Sequence, residues 1–281
     1  MDIDSTKAVV SDTLAQVTEK AQDTGWIMHH ILDGNYLEFP PFGVVHLPEL
    51  HLLGMDISIT RHVIFMWLAV IILVFLLGRV AKAYKKSLVP KGINNLMEVL
   101  ILFVRDEIAR PTIGHGFEKF VPYLLTAFFF ILTCNFLGLV PYGATATSNI
   151  AVTASLATIS FIVIQAGGIM KNGFFGYFKG LLPHGLPTWL IPIMFVVELL
   201  GLFTKPFALA IRLFANLTAG HIVIMALLGL IFILQTYFVA PVSVAFALFI
   251  YLLEILVALI QAYIFTMLSS LFIGMAVHQD H

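Results

Sequence analysis

The sequence predicts an all-α, polytopic membrane protein, and three observations support this fold class. Hydrophobic residues make up 60% of the 281 residues and charged residues only 11%, whereas about a quarter of a soluble domain is charged. Nine of the 16 acidic residues precede residue 57. Later apolar stretches reach the ~20 residues that a helix needs to cross the bilayer hydrocarbon. We therefore expect a polar N-terminal segment outside the membrane, residues 1–54, and a membrane-embedded domain, residues 55–281.

The composition excludes several classes of function. The formal net charge of −1 excludes an overall nucleic-acid-binding surface. The single cysteine, Cys134, excludes an internal disulfide. The sequence contains neither an HExxH nor a GxSxG motif, which are typical of metalloproteases and α/β-hydrolases. We therefore expect no cofactor and no metal.

The N-terminal segment has neither the basic stretch nor the apolar core of a secretory signal. Its residues Val10, Leu14, Val17 and Ala21 follow helical spacing. This spacing favours a short amphipathic helix at the membrane or against a partner. The absence of organelle-type targeting favours a bacterial cell membrane.

The first crossing helix is predicted from Ile57 to Gly78, with Asp56, Ser58 and Thr60 as candidate N-caps. Basic residues follow it without an acid before Glu98: Arg79, Lys82, Lys85, Lys86 and Lys91. An excess of Lys and Arg marks the cytoplasmic side of a membrane protein. The N-terminus is therefore predicted to lie outside.

An in-plane helix is predicted next, within "PKGINNLMEVLILFVRDEIARP". Its apolar residues Leu96, Val99, Leu100 and Phe103 follow helical spacing, but charges interrupt the stretch too often for a crossing helix. A helix of this kind lies along the membrane surface with its apolar face in the lipid.

The second and third crossing helices are predicted at residues 117–140 and 150–170, joined by the turn-rich stretch "PYGATATSN". The loop after them carries Lys171 and Lys179 and no acid, as a cytoplasmic loop does. With two more crossings, the C-terminus is predicted to be cytoplasmic.

The last two apolar segments, residues 188–237 and 242–277, are separated by "FVAP" and are too long for simple crossing helices. About 50 residues of helix extend to about 75 Å, against ~30 Å of hydrocarbon. The segments therefore either break, with Pro192 and Pro206 as candidate kinks, or form a strongly tilted hairpin. Strong tilt is imposed by packing against a neighbour, which indicates a large, curved partner.

Few charged side chains occur in this hairpin, so each of them is a candidate functional group. Arg212 and Asn216 are four residues apart and share a helix face, whereas His221 points to the opposite side. Glu254 and Gln261, seven apart on the last helix, also share a face.

Two antiparallel helices would bring Glu254 near His221 in the outer half of the membrane, and Gln261 near the depth of Arg212. A carboxylate beside an imidazole can relay protons, because histidine titrates near neutral pH. Arg212 stays positively charged, and no acidic residue lies between Glu198 and Glu254. A carboxylate on another subunit would suit it, ionised near Arg212 and protonated in lipid.

These residues resemble those of the a subunit in the membrane sector of F-type ATP synthases. "KPFALAIRLFANLTAGH" is similar to the arginine helix of that family, and "LLEILVALIQAYIFTMLSSLFIGMA" to its last helix. The stretches "FVRDEIARPTIG", "NFLGLVPYGATATSNIAVTASLA" and "VELLGLFTKPFALAIRLFAN" extend the resemblance over roughly residues 55–278.

The resemblance implies a non-catalytic stator with two offset proton half-channels beside a rotating ring of c subunits. Arg212 matches the arginine that separates the half-channels and faces the ring carboxylate, and Asn216 and Gln261 match polar residues near it. His221 and Glu254 match the access-channel pair, in the reverse order of some family members. Glu198 matches a position near the cytoplasmic exit.

The implied partners are the c-subunit ring, the peripheral-stalk b subunits, other ATP synthase subunits and membrane lipids. Two other classes of function are alternatives. A self-contained ion-coupled secondary transporter usually shows internal repeats, and an intramembrane hydrolase needs a nucleophile with a base, or a metal motif. A ring of carboxylate-bearing hairpins bound to the chain would separate the first class from both alternatives.

Overall fold

The structure, a computed structural model, describes residues 34, 36–39, 43–48, 51–52, 55–56, 58–85, 91–140, 143, 145–180, 187, 190–234 and 238–278. The amphipathic helix predicted at Val10, Leu14, Val17 and Ala21 lies outside these residues. The chain divides into two compact units. The first unit is Met1–Gly34 with Thr218–Leu252, and the second is Asn35–Leu217 with Leu253–His281.

Two short antiparallel hairpins precede the helices of the second unit. Strand β1 (Tyr36–Phe39) pairs with β2 (Gly43–His46), and β3 (His51–Leu52) pairs with β4 (Met55–Asp56). The sequence prediction contains no strand here. Aromatic and β-branched residues favour a pleated backbone, and the two prolines at positions 40 and 41 oppose a helix. All other regular elements among the described residues are helical, so the all-α prediction is confirmed for the membrane-embedded part.

Helix α1 (Arg61–Tyr84) is the first predicted crossing helix. Of the three candidate N-caps, Thr60 holds the position with extended backbone, but its side chain makes no capping hydrogen bond. The apolar side chains of Ile71, Val74 and Phe75 are 64%, 69% and 71% exposed. A surface this apolar is suited to contact with lipid rather than water.

Helix α2 (Ile93–Leu102) continues through a π-helical stretch, Phe103–Ala109, into the short helix α3 (Arg110–Ile113). The predicted helix is therefore present, and its position in the membrane plane stays a prediction. Asp106 accepts hydrogen bonds from Arg105 at 3.0 and 2.8 Å and lies 3.8 Å from Arg110. The hydrogen bond from Arg105 is the main cause that lowers the pKa of Asp106.

Helices α4 (Val121–Leu139) and α5 (Ile150–Asn172) are the second and third crossing helices. The Asn149 side chain caps α5 by accepting a hydrogen bond from the Ala151 amide at 2.8 Å, and such caps contribute about 1 kcal/mol. A short helix that the sequence did not predict, α6 (Phe174–Gly180), follows. Its Tyr177 is buried against Gly168.

Helices α7 (Ile191–Leu234) and α8 (Val239–Val277) have 44 and 39 residues. Neither long segment breaks, and Pro206 lies within α7, so the tilted hairpin is the surviving alternative. The predicted separator "FVAP" is wrong in part, because α8 already begins at Val239. A proline in the first helical turn loses no intrahelical hydrogen bond, so Pro241 does not prevent this early start.

Five described helices, α1, α4, α5, α7 and α8, are long and apolar enough to cross a membrane, as predicted. In the first unit, the Ser243 hydroxyl of α8 donates a hydrogen bond to the Leu227 carbonyl of α7. In the second unit, the Lys205 ammonium of α7 lies 5.3 Å from the ring centre of Phe272 on α8.

Helix α8 packs closely on α3 in the second unit. A side-chain carbon at Gly274 would collide with the Thr112 carbonyl oxygen. Four residues earlier on α8, the Ser270 and Thr112 hydroxyls are 2.6 Å apart. On the neighbouring α5, the Ser160 hydroxyl is 2.9 Å from that of Ser269. These hydroxyl pairs fix α8 against the rest of the unit.

Candidate functional site

Arg212 lies on α7 beside a stripe of leucines that packs into the second unit. Leu209, Leu213 and Leu217 recur every fourth residue and are 2%, 0% and 2% exposed. Arg212 is displaced from this stripe by one residue, or about 100° around the helix, and is exposed. Within the part of the chain that the structure describes, no carboxylate lies within ion-pairing distance of its guanidinium.

Asn216 and Gln261 connect the two long helices one turn after Arg212. The Asn216 Nδ2 donates a hydrogen bond to Gln261 Oε1 at 3.0 Å. Gln261 is 2% exposed, whereas Asn216 is on the exposed flank that also carries Arg212. The bond therefore sets the register of α7 against α8 at the level of the arginine.

Glu254 lies on α8 two turns before Gln261 and is only 4% exposed. His221, on α7, is half-buried and belongs to the first unit, whereas Glu254 belongs to the second. The predicted relay between these two side chains therefore stays a prediction.

A buried polar chain that the sequence analysis did not assign to the site lies one turn from Glu254. The Thr147 hydroxyl donates to Asn135 Oδ1 at 2.8 Å, and Asn135 Nδ2 donates to the Ala258 carbonyl at 3.2 Å. Asn135 and Thr147 are both fully buried. An asparagine within the apolar stretch of α4 was the available signal for this chain.

This polar chain continues at the turn before α5. The Ser148 hydroxyl donates to the Thr145 carbonyl at 2.7 Å and lies 3.3 Å from His62 Nε2. His62, in the first turn of α1, is only 3% exposed. Sequence reasoning missed His62, because nothing in the local pattern places the start of α1 against residues 145–148.

Glu198 lines a cavity of about 310 Å³ in the second unit. The polar side chains at its wall are Gln165, Tyr177, Glu198, Lys205 and His278, and Leu202, Phe272 and Met275 are among its apolar lining. Burial raises the pKa of Tyr177, and a hydrogen bond with Gln165 opposes this shift. Tyr177 is therefore a neutral phenol at physiological pH.

Comparisons with known proteins identify the family. A family model for the ATP synthase A chain matches residues 63–274. The chain is 60% identical to ATP synthase subunit a of Chloroherpeton thalassium over 258 residues, which cover 90% of this chain and 77% of the relative. It is 54% identical to ATP synthase subunit a 2 of Chlorobaculum tepidum over 271 residues, covering 95% and 76% of the two chains. With subunit a of Anaeromyxobacter sp., it is 47% identical over 291 residues, covering 91% and 71%.

The matched residues include all five helices that are long enough to cross a membrane, apart from a few residues at the two ends. They also include every candidate residue predicted from the sequence. The chain belongs to the ATP synthase A chain family, that of subunit a of the F-type ATP synthase.

Proposed function

We propose that the chain is the stator subunit of a proton-translocating F-type ATP synthase. In this role it forms two offset proton half-channels against the c-ring, and Arg212 separates them and faces the ring carboxylate. The observation that carries the proposal is the position of Arg212 on an exposed flank of α7, away from any described carboxylate of its own chain. A fixed positive charge at membrane depth needs an anion, and a partner's carboxylate supplies it.

Helix α7 also exposes apolar side chains away from the flank of Arg212. Val196, Leu200, Phe203, Phe207 and Ile211 are all more than one-third exposed, and at 100° per residue they lie about 100–180° around the helix from Arg212. Small helical ring subunits would pack on the flank of Arg212, and the peripheral-stalk b subunits and other synthase subunits would contact the remaining faces. Lipid would contact the helix faces that no partner subunit covers.

The electrostatic mechanism follows from the two environments of the ring carboxylate. In lipid, desolvation favours its protonated, neutral form, and beside Arg212 the positive charge favours its ionised form. A ring carboxylate that approaches Arg212 therefore releases its proton before it passes. Arg212 itself keeps its proton, so it blocks direct proton transfer between the half-channels and transports none.

Two groups of residues are assigned to the half-channels. Glu254, with His221 as its predicted relay partner, serves the access path, and burial of Glu254 supports a role inside the protein rather than at its surface. The cavity lined by Glu198 and Lys205 serves the exit path. Asn216 and Gln261 hold the two helices together at the arginine.

The proposed orientation follows the basic residues. Basic residues at or just after the C-terminal ends of α1 and α5 favour a cytoplasmic location for these ends: Arg79, Lys82 and Lys85 at α1, and Lys171 and Lys179 at and after the end of α5. The N-terminus then lies outside a bacterial cell membrane and the C-terminus inside. Each proton that moves from the outside to the cytoplasm across 100 mV releases about 2.3 kcal/mol. Rotation of the ring can deliver this energy to ATP synthesis elsewhere in the complex. The chain itself needs no catalytic residue for this role.

Replacement of Arg212 by alanine tests the proposal in membrane vesicles. We expect ATP-driven proton pumping to be lost, while passive proton leak after removal of the soluble head is kept or raised. The matched control is Arg79→Ala, which removes an exposed arginine near the C-terminal end of α1 and should leave pumping unchanged. Pumping near the normal rate in Arg212→Ala would show that the partner of the arginine is structural, and the proposal would fail.

A further inference from the structure

His62 is a buried titratable side chain that the proposed mechanism does not yet use. It lies in the first turn of α1, the end of that helix predicted to face outside, and is 3% exposed. Its Nε2 is 3.3 Å from the Ser148 hydroxyl. That hydroxyl donates to the Thr145 carbonyl at 2.7 Å, so its oxygen remains able to accept from an imidazole N–H.

Thr147 and Asn135 form hydrogen bonds that extend from the neighbourhood of Ser148 to helix α8, which carries Glu254. Thr147 donates to Asn135 at 2.8 Å, and Asn135 donates to the Ala258 carbonyl at 3.2 Å. Glu254 lies four residues before Ala258, one turn along the same helix. All of these residues belong to the second unit, and apart from the partly buried Ser148 all are buried. Ser148, Thr147 and Asn135 thus form a polar wall that extends from a buried imidazole, His62, to the backbone of α8 one turn from a buried carboxylate, Glu254.

Few other titratable groups face this wall from the elements that pack against α1. Helix α4 contributes Cys134, and Tyr123 at its opposite end. The turn 145–149 contributes none. Helix α2 contributes Glu98, which contacts Tyr84 at the far end of α1. Arg61 is the charged neighbour on α1 itself, so within the described residues His62 is the group near the outer end of the wall that can both bind and release a proton.

We propose that His62 is the outer proton-relay residue of the access path, taking a proton from the outside and passing it along water held by Ser148, Thr147 and Asn135 to Glu254. One imidazole nitrogen accepts a proton while the other N–H donates its own inward, so the ring returns to neutral after each transfer. This inference rests on the proposed function, because it extends the half-channel assigned there to Glu254. The alternative is a purely structural role, in which the contact of His62 with Ser148 only holds residues 145–148 against α1.

His62→Gln and His62→Ala separate the two roles. Glutamine keeps an amide donor near the position of Nε2 but cannot relay a proton, and alanine leaves a space that imidazole can enter. Proton flux driven by a potassium diffusion potential is measured in vesicles stripped of the soluble head. We expect both variants to conduct about tenfold more slowly, less than the roughly hundredfold that a positioned proton-transfer group contributes, because water replaces it in part. Added imidazole should restore flux in His62→Ala and not in His62→Gln.

Three controls make the result interpretable. His115→Gln removes an exposed histidine outside the path and should conduct normally, and immunoblots confirm equal amounts of the chain in each membrane. Normal flux in His62→Gln, or no rescue of His62→Ala by imidazole, would overturn the inference in favour of the structural role. Arg212→Ala, assayed for ATP-driven pumping in vesicles that retain the soluble head, tests the proposed function separately: if it loses pumping while His62→Gln conducts normally in stripped vesicles, the relay role of His62 alone is refuted.

Discussion

Within the second unit, polar side chains of the two long helices differ in burial and in the partners they contact. On α8 three polar side chains are buried and have partners in the same chain: Ser269 with Ser160, Ser270 with Thr112, and Gln261 with Asn216. On α7 Arg212 is exposed, and the described part of the chain offers it no carboxylate. Helix α8 is therefore held within the unit by these contacts, whereas this part of α7 leaves its charge on the surface, where the proposed partner carboxylate would reach it.

This difference follows from the cost of polar groups in an apolar medium. A buried hydroxyl or amide without a hydrogen bond costs about 1–3 kcal/mol, so the polar residues of α8 are tolerated only because α3, α5 and α7 supply partners. A charge costs more and cannot be neutralised when it belongs to arginine. An arginine on the lipid-facing surface is therefore an indication of a partner outside the chain.

The largest effect is expected for Arg212→Lys, which keeps a positive charge on the exposed flank. Lysine is a compact charge whose pKa falls readily when it is desolvated, and it lacks the planar fork of arginine. We expect ATP-driven pumping to fall to roughly a tenth or less, with the passive leak retained. Pumping at half the normal rate or more would mean that charge alone, rather than the permanence and geometry of the guanidinium, separates the half-channels.

An exchange of His221 and Glu254 tests whether these residues act as a relay pair. His221→Glu alone leaves two carboxylates and Glu254→His alone leaves two imidazoles, so each should slow proton flux about tenfold. The double variant restores one of each and should recover to within about threefold of the original rate. A double variant no faster than the slower single variant would show that the two side chains work independently.

The helices and several of the site residues could be predicted from the sequence, because apolar length and helical spacing depend on local pattern. The shared face of Arg212 and Asn216 follows from a spacing of four residues, and the structure places both on one flank. Glu198, which the resemblance assigned to a position near the cytoplasmic exit, lines a cavity. The start of α8 at Val239 was missed because a proline in the first turn is compatible with a helix.

The buried polar wall could not be predicted, because it depends on contacts between residues far apart in the chain. His62 and Ser148 are separated by 86 positions and Asn135 and Ala258 by 123, and no local period connects them. The hairpins before α1 were missed for another reason: strands of two to four residues are too short for a clear alternating pattern.

Gly274→Ala tests how tightly the scaffold region is packed. The added carbon would collide with the Thr112 carbonyl, and overpacking of this kind costs about 1–3 kcal/mol. We expect less of the chain in membranes and a lower melting temperature of the solubilised complex. Gly176→Ala is the matched control, because its added carbon meets only Asn172 at 3.9 Å. Equal stability of the two variants would show that α8 shifts away from α3 at little cost.

Two asparagine variants compare the buried polar wall beside α8 with the exposed flank of Arg212 on α7. Asn135→Leu leaves the Thr147 hydroxyl and the Ala258 carbonyl without their buried partner, at about 1–3 kcal/mol, so the melting temperature of the complex should fall. Asn216→Leu removes one hydrogen bond at the exposed edge of Gln261. It should therefore lower the melting temperature less. An equal or larger fall in Asn216→Leu would assign the larger structural role to the arginine flank, reversing the distinction between α7 and α8.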